Sequence, residues 1–210
     1  MIVLLIALLS VYAAARAGGA KPTRCERFTA ASAARADDAT GSGRRVVVIG
    51  DSYSAGLGLR DGADSWPTRL PGEVHVAGFS GSGFAPHASR CGRVSFADRA
   101  PAALGGGADL VVVEGGLNDF DQPPAAIRLG FRRLMTELEG HPVVVVGPVT
   151  APSRASAVPR VDELLATLAK RYDAAYVRTA HLELPYLSDR LHLTPAGHAA
   201  FGDFVAASLG

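Results

Sequence analysis

The sequence is poor in cysteine, in lysine and in net charge, and these shortages argue against two classes of protein. It contains two cysteines, which rarely hold zinc by themselves and which are not spaced like a metal site. Lysine occurs only at Lys21 and Lys170, and the formal net charge is +1. No broad basic field therefore points to nucleic acid.

A long hydrophobic run is also missing. The longest apolar stretch, residues 2–15, is shorter than the roughly 20 residues that a transmembrane helix needs. This stretch resembles the apolar core of a signal peptide, and Ala15-Arg16-Ala17 offers a cleavage site. No Lys or Arg precedes the apolar stretch, although a signal peptide usually has one there. The sequence predicts an exported protein, secreted or in the cell envelope, with residues 1–17 as a signal peptide or an uncleaved N-terminal anchor. A buried N-terminal helix is the alternative.

Regular periodicity is absent from residues 18–43, which are small and polar, so a flexible tail or linker is predicted there. The folded domain is predicted over residues 44–210. Short Val-rich runs alternate there with helical patterns, which indicates an α/β protein with a parallel sheet covered on both faces. The predicted strands are residues 45–50, 74–79, 108–115, 141–149 and 174–179, and helices are predicted at 64–70, 95–104, 123–140, 159–173 and 194–209.

Polar and small residues follow these strands, where open α/β sheets bind their ligands. Candidate functional groups follow strands one, two and three and precede the last helix: Asp51 and Ser52; Gly81 and Gly83; Gly116, Asn118 and Asp119; and Asp189 and His192. Together they supply a hydroxyl, an imidazole, a carboxylate and several N–H donors at one edge. Acyl transfer needs a nucleophile, a base, a group that orients the base and donors for the oxyanion.

These blocks resemble those of GDSL-type hydrolases of the SGNH superfamily. The first block is GDSYS, with Tyr53 where leucine is usual; the third is GLND, residues 116–119; the last is DRLH, residues 189–192. The second block is a lone glycine within FSGSG, either Gly81 or Gly83. The G-x-S-x-G motif of α/β-hydrolases is absent. The resemblance spans residues 44–208 and implies a flavodoxin-like three-layer α/β/α sandwich with five parallel strands in the order 2-1-3-4-5.

The resemblance also implies roles for these residues. Ser52 is the expected nucleophile, His192 its general base and Asp189 the group that orients His192. The amides of Ser52 and Gly81 and the side chain of Asn118 are expected to form the oxyanion hole. The supporting residues are Asp51, Gly116 and Asp119.

The predicted protein is a serine esterase that needs no cofactor and no metal. Its expected substrate is a small acyl ester, a lipid or an acetylated cell-envelope carbohydrate. Two alternatives stay open: an O-acyltransferase that uses the same site, and a non-catalytic flavodoxin-like binding domain, which would leave Asp189 and His192 unexplained. We expect a monomer with no nucleic-acid partner, and membrane contact only if the N-terminal segment is retained.

The two cysteines, Cys25 and Cys91, are predicted to form a disulfide bond, because an even number of cysteines in an exported protein favours pairing. The bond would join the N-terminal tail to the folded domain. Two free thiols are the alternative.

Overall fold

The computed structural model describes residues 21–209. Its sheet has five parallel strands in the order β2-β1-β3-β4-β5. The strands are β1 (Arg45–Gly50), β2 (Glu73–Gly78), β3 (Leu110–Glu114), β4 (Val143–Val146) and β5 (Ala175–Val177). In register, Ile49 of β1 lies between Ala77 of β2 and Val113 of β3. The predicted fold class and strand order are confirmed.

Helices cover both faces of the sheet. They are α1 (Arg24–Asp37), α2 (Phe96–Ala103), α3 (Pro124–Glu137), α4 (Val158–Arg171) and α5 (Pro195–Ala207). Alternate residues of β1 contribute to two separate buried clusters. Val47 packs in the cluster that holds Phe131 of α3, and Val48 packs in the cluster that holds Phe201 of α5. This alternation explains why the strands read as continuous apolar runs.

The prediction of a flexible tail over residues 18–43 is wrong for α1. A capping box starts this helix: Thr23 accepts from the Glu26 amide and the Glu26 side chain accepts from the Thr23 amide. The Phe28 ring meets the Phe79 ring edge to face, with centroids 6.3 Å apart. Arg35 is 2% exposed. The contact with Phe79 and the burial of Arg35 are tertiary, and the capping box lies outside the apolar pattern, so the weak apolar periodicity of the segment did not reveal the helix.

A disulfide bond joins Cys25 at the start of α1 to Cys91 in the loop before α2, as predicted. Their Cα atoms lie 5.4 Å apart, and 66 residues separate them along the chain. The bond therefore fastens α1 to the carboxyl side of the sheet.

The helix predicted at residues 64–70 is absent, and two short 3-10 turns, Gly62–Asp64 and Trp66–Arg69, stand in its place. The backbone is extended at Ser65 (φ −69°, ψ 161°) and again at Leu70 (φ −74°, ψ 145°), so the second turn is confined between them and closes with the bond from the Leu70 amide to the Pro67 carbonyl. Trp66 is fully buried against Phe201 of α5. Packing of the indole, rather than helical repetition, determines this segment.

No helix within residues 21–209 is long and apolar enough to span a bilayer. The predicted signal segment, residues 1–17, lies outside the described part of the chain, as does Gly210.

Candidate active site

Ser52 lies in the tight turn that follows β1. The turn is closed by hydrogen bonds from the Ala55 amide to the Asp51 carbonyl (3.0 Å) and from the Leu57 amide to the Ser52 carbonyl (2.9 Å). Gly50 allows this geometry, because a Cβ atom there would lie 2.0 Å from Ser54 Oγ. Ser52 is 7% exposed, and its own amide donates to no group within residues 21–209. Its amide is therefore free to bind an oxygen of a ligand.

The side chains of Asp189 and His192 form a hydrogen bond in the loop before α5. His192 Nδ1 lies 2.5 Å from Asp189 Oδ2, and the Leu191 and His192 amides each donate to Asp189 Oδ1 at 3.0 Å. Partial burial works to raise the pKa of Asp189, but the hydrogen bonds from the His192 ring and from the two amides outweigh it. The pKa of Asp189 falls to about 2. Asp189 is thus a carboxylate at any pH at which esters are normally assayed, and it holds the imidazole with Nε2 as its free ring nitrogen.

One hydrogen bond joins the turn of Ser52 to the loop of His192. The hydroxyl of Tyr53 donates to the Leu191 carbonyl at 2.6 Å, so that the residue after the serine contacts the residue before the histidine. Within residues 21–209, Ser52 Oγ and the His192 ring do not themselves form a hydrogen bond. Contacts between catalytic side chains are commonly long without substrate and tighten when it binds.

Gly81 and Asn118 lie at the same edge of the sheet. Gly81 has a φ of +85°, a conformation that favours glycine, and its amide donates to no group in the described part of the chain. Asn118 Nδ2 lies 2.9 Å from the Ser82 carbonyl and 3.1 Å from Asp51 Oδ2. Both N–H groups of this amide thus have acceptors, so an oxyanion would have to share one of them.

Gly83 occupies a different environment from Gly81. A Cβ atom at Gly83 would lie 2.6 Å from Asp119 Oδ2, and the residue is buried, whereas Gly81 is partly exposed. Of the two glycines that the sequence left open, Gly81 is the one with access to a ligand.

The supporting residues organise these loops. Asp51 accepts the Tyr53 amide at 2.9 Å, in addition to the bond from Asn118. Asp119 is fully buried and accepts the amides of Phe84 and Ala85 at 3.0 and 2.7 Å. Gly116 has a φ of +120°, and a Cβ atom there would crowd α4. The two carboxylates therefore tie the loops after β1, β2 and β3 together.

Residues 48–200 match the GDSL-like Lipase/Acylhydrolase family. The chain belongs to this family. It is accordingly a carboxylic ester hydrolase, and the alternative of a non-catalytic flavodoxin-like binding domain is set aside. No curated protein matches it closely enough to count as a relative.

Several solved structures share the fold of this acylhydrolase. A carbohydrate acetylesterase family member from Sinorhizobium meliloti is 22% identical, with a TM-score of 0.64 over 80% of this chain and 97% of that chain. The native M. smegmatis aryl esterase is 20% identical, with a TM-score of 0.62 over 80% of this chain and 98% of that chain. A family two carbohydrate esterase from Clostridium thermocellum, solved in complex with cellohexaose, is 15% identical. Its TM-score is 0.66 over 80% of this chain and 64% of that chain.

Arg99 is a site-organising residue of this acylhydrolase that the sequence did not reveal. Its guanidinium donates to the Gly50 carbonyl (2.8 Å), to Ser82 Oγ (2.9 Å) and to the Ala77 carbonyl. Burial lowers the pKa of Arg99 to about 10, which still leaves it charged at neutral pH. The arginine links the ends of β1 and β2, and no local signal in the sequence marks it as different from other arginines.

Glu114, the last residue of β3, was also missed because it follows a run of valines that reads as core. It is 4% exposed, and its Oε2 accepts the Ser54 hydroxyl at 2.7 Å, which in turn accepts the Trp66 indole N–H at 3.2 Å. Burial raises the pKa of Glu114 to about 7, although its hydrogen bonds oppose this. Burial, together with the nearby Glu114, also raises the pKa of Asp51 well above its usual range. A pair of buried acids thus lies beneath the turn of Ser52.

A groove of about 450 Å³ opens beside Gly81 and Asn118. Its walls come from the start of α1, from the loop around Cys91 and from the chain that follows β3 and β4, including Phe120 and Arg154. The groove provides space for a substrate next to the candidate oxyanion donors.

Proposed function

We propose that this esterase removes small acyl groups, acetyl foremost, from carbohydrate through an acyl-enzyme on Ser52. The observation that carries the proposal is the Asp189–His192 hydrogen bond at the same sheet edge as the free amides of Ser52 and Gly81. The carbohydrate part is supported by the carbohydrate esterases among the proteins that share the fold.

In the proposed first half-reaction, Ser52 Oγ attacks the ester carbonyl carbon while His192 Nε2 takes the hydroxyl proton. Asp189 stabilises the imidazolium that forms. The carbonyl oxygen becomes an oxyanion, which accepts from the amides of Ser52 and Gly81. The bond to the sugar oxygen then breaks, and His192 gives its proton to that oxygen.

In the second half-reaction a water attacks the acyl-enzyme, and His192 takes one of its protons. The second tetrahedral intermediate uses the same donors and collapses by breaking the bond to Ser52 Oγ. The proton returns to the serine, and a carboxylic acid leaves. No metal or cofactor takes part in either half-reaction, so we expect EDTA to leave the rate unchanged.

Asn118 is the third oxyanion donor in this proposal. Its Nδ2–H toward Asp51 is the longer of its two bonds, at 3.1 Å, and the raised pKa of Asp51 weakens the competition from that carboxyl group whenever it is protonated. The developing oxyanion would take over part of this donation in the transition state.

The test is a panel of p-nitrophenyl esters of graded length together with an acetylated oligosaccharide, assayed with the wild type and with Ser52→Ala. We expect turnover to favour short acyl groups and to vanish in Ser52→Ala. We also expect a fluorophosphonate to label Ser52 in the wild type. Transfer of acetyl to a sugar hydroxyl in preference to water would identify an acyltransferase instead. Full activity of Ser52→Ala would contradict the mechanism.

A further inference from the structure

The groove beside Gly81 and Asn118 carries three arginines and one acid. Arg24, Arg90 and Arg154 line it, and Asp121 is the acidic residue among them. The whole chain has a net charge of +1, so this local excess is not a reflection of a generally basic surface. Positive charge concentrated in a concave site raises the local potential and attracts anions.

None of the three arginines has a carboxylate partner within residues 21–209. Asp121 instead accepts from the Gln122 side chain at 2.8 Å. Residues 1–20 contain no Asp or Glu, so their side chains bring no carboxylate that could pair with the arginines. The three guanidinium groups are thus available to an anion from outside the chain.

Arg154 is held in place for such a contact. Its guanidinium carbon lies 3.5 Å from the centroid of the Phe120 ring, a cation–π arrangement that restricts the side chain. Its Nε is buried, and no acceptor for it exists in the described part of the chain. A buried donor without an acceptor is costly, and a ligand oxygen would relieve that cost.

The disulfide bond brings the other two arginines together. Arg24 directly precedes Cys25, Arg90 directly precedes Cys91, and the Cα atoms of the two cysteines are 5.4 Å apart. The covalent bond therefore fixes the backbone next to both arginines, which line the same groove.

We propose that this arginine groove, defined by Arg24, Arg90 and Arg154, binds a negatively charged group on the carbohydrate part of the substrate. The inference rests on the proposed function, because it specifies that the acetylated carbohydrate of that proposal carries a negative charge. The anion is a carboxylate or a phosphoryl group, because a guanidinium binds the oxygens of either in a two-pronged fashion.

The turnover test compares three sugar acetates that carry acetyl on the same hydroxyl: methyl glucoside, methyl glucuronide and methyl glucoside 6-phosphate. We expect kcat/KM to be about tenfold higher for at least one charged sugar than for the neutral one, as one charge-assisted hydrogen bond would give. The preference should shrink in 0.5 M NaCl, because salt screens exposed charges. Preference for only one of the charged sugars would identify the anion as carboxylate or phosphoryl.

The same ratio, kcat/KM for a charged sugar acetate divided by kcat/KM for the neutral one, is measured for three variants. Arg90→Ala should bring the ratio toward one, and Arg154→Lys should reduce it because lysine keeps the charge but loses the planar fork. Arg44→Ala is the matched control: it also removes one exposed arginine, but it lies at the amino end of β1, at the opposite edge of the sheet. It should retain the wild-type ratio.

Binding separates this proposal from the proposed function. The unacetylated sugars are titrated into Ser52→Ala, with and without Arg90→Ala, and binding is followed by NMR. Turnover of all three acetates at equal rates, with no selective binding of a charged sugar, would overturn the arginine groove and leave the esterase mechanism intact. Selective binding that Arg90→Ala abolishes, without hydrolysis of any ester, would support the groove and refute the proposed function.

Discussion

At the scale of single residues, Tyr53 is the contact between the two halves of the candidate site. We expect Tyr53→Phe to lower kcat about tenfold with little change in KM, because loss of the bond to the Leu191 carbonyl lets Ser52 and His192 drift out of alignment. Labelling of Ser52 by a fluorophosphonate should slow in parallel.

Tyr176→Phe is the control for this variant. The Tyr176 hydroxyl of β5 donates to Asp162 Oδ1 of α4 at 2.7 Å, apart from the candidate site. Its loss should cost stability only. Equal kcat in the two variants would remove Tyr53 from the positioning of the site.

Asn118→Ala separates an oxyanion donor from a residue that only shapes the loop. We expect kcat to fall by about 10²–10³ with KM nearly unchanged, because the donor acts mainly in the transition state. Its bonds to Ser82 and Asp51 add a structural role, so the Tm should also fall by a few degrees. Measurement of kcat, KM and Tm on one preparation distinguishes the two roles. A loss of rate explained wholly by unfolding would leave Asn118 with its structural role alone.

At the scale of elements, the largest difference between the prediction and the structure is α1, a helix where a flexible tail was predicted. The Val-rich runs predicted the strands because strands buried on both faces need continuous apolar residues. The segment of α1 has no such run; its helix depends on the Thr23–Glu26 capping box, on Phe28 against Phe79 and on the bond to Cys91. The capping box is a local signal outside the apolar pattern, whereas Phe79 and Cys91 lie far along the chain, so local periodicity could not reveal the helix.

The same limit applied to the site. Ser52, Asn118, Asp189 and His192 were predictable, since each follows a strand or precedes a helix within a short recognisable block. Arg99 and Glu114 were not, because their roles come from burial and from acceptors on other elements. Sequence reasoning found the groups that stand in short blocks at the strand ends, and it missed these two, which act through burial and distant partners.

The bond between α1 and the sheet can be tested directly. We expect the Cys25→Ser, Cys91→Ser double variant to lose about 2–4 kcal/mol of unfolding free energy, since the bond closes a long loop in the unfolded chain. Urea unfolding of the double variant and of the reduced wild type should give the same loss. An unchanged midpoint would mean that the disulfide bond contributes nothing to the stability of the domain.

At the scale of the whole molecule, buried carboxyl groups determine how stability depends on pH. Burial raises the pKa of Glu114 to about 7 and of Asp119 to about 6, above the values of an unfolded chain. The folded protein thus binds more protons than the unfolded one between about pH 4.5 and 7, and stability falls as pH rises through this range. Burial lowers the pKa of His198 to about 4, which offsets only part of the effect between pH 4 and 6.5.

Glu114→Gln should therefore lose less stability than the wild type as the pH rises from 5 to 8. The difference is on the order of 1–3 kcal/mol, because glutamine keeps an acceptor for Ser54 but does not ionise. Glu139→Gln, at an exposed glutamate, should follow the wild-type curve. Urea unfolding at four pH values would measure this, and identical slopes for all three proteins would refute it.

The hydrogen bond between Tyr53 and Leu191 has a consequence for the order of synthesis, because 138 residues separate its partners. A growing chain carries its serine long before its histidine has been made, and the contact that aligns the two cannot form until nearly the whole sheet exists. On the proposed mechanism, an unfinished chain has a serine without the base that activates it. The same mechanism implies that reactivity toward esters arises in one late step, when the loop of residues 189–192 docks on the turn of Ser52.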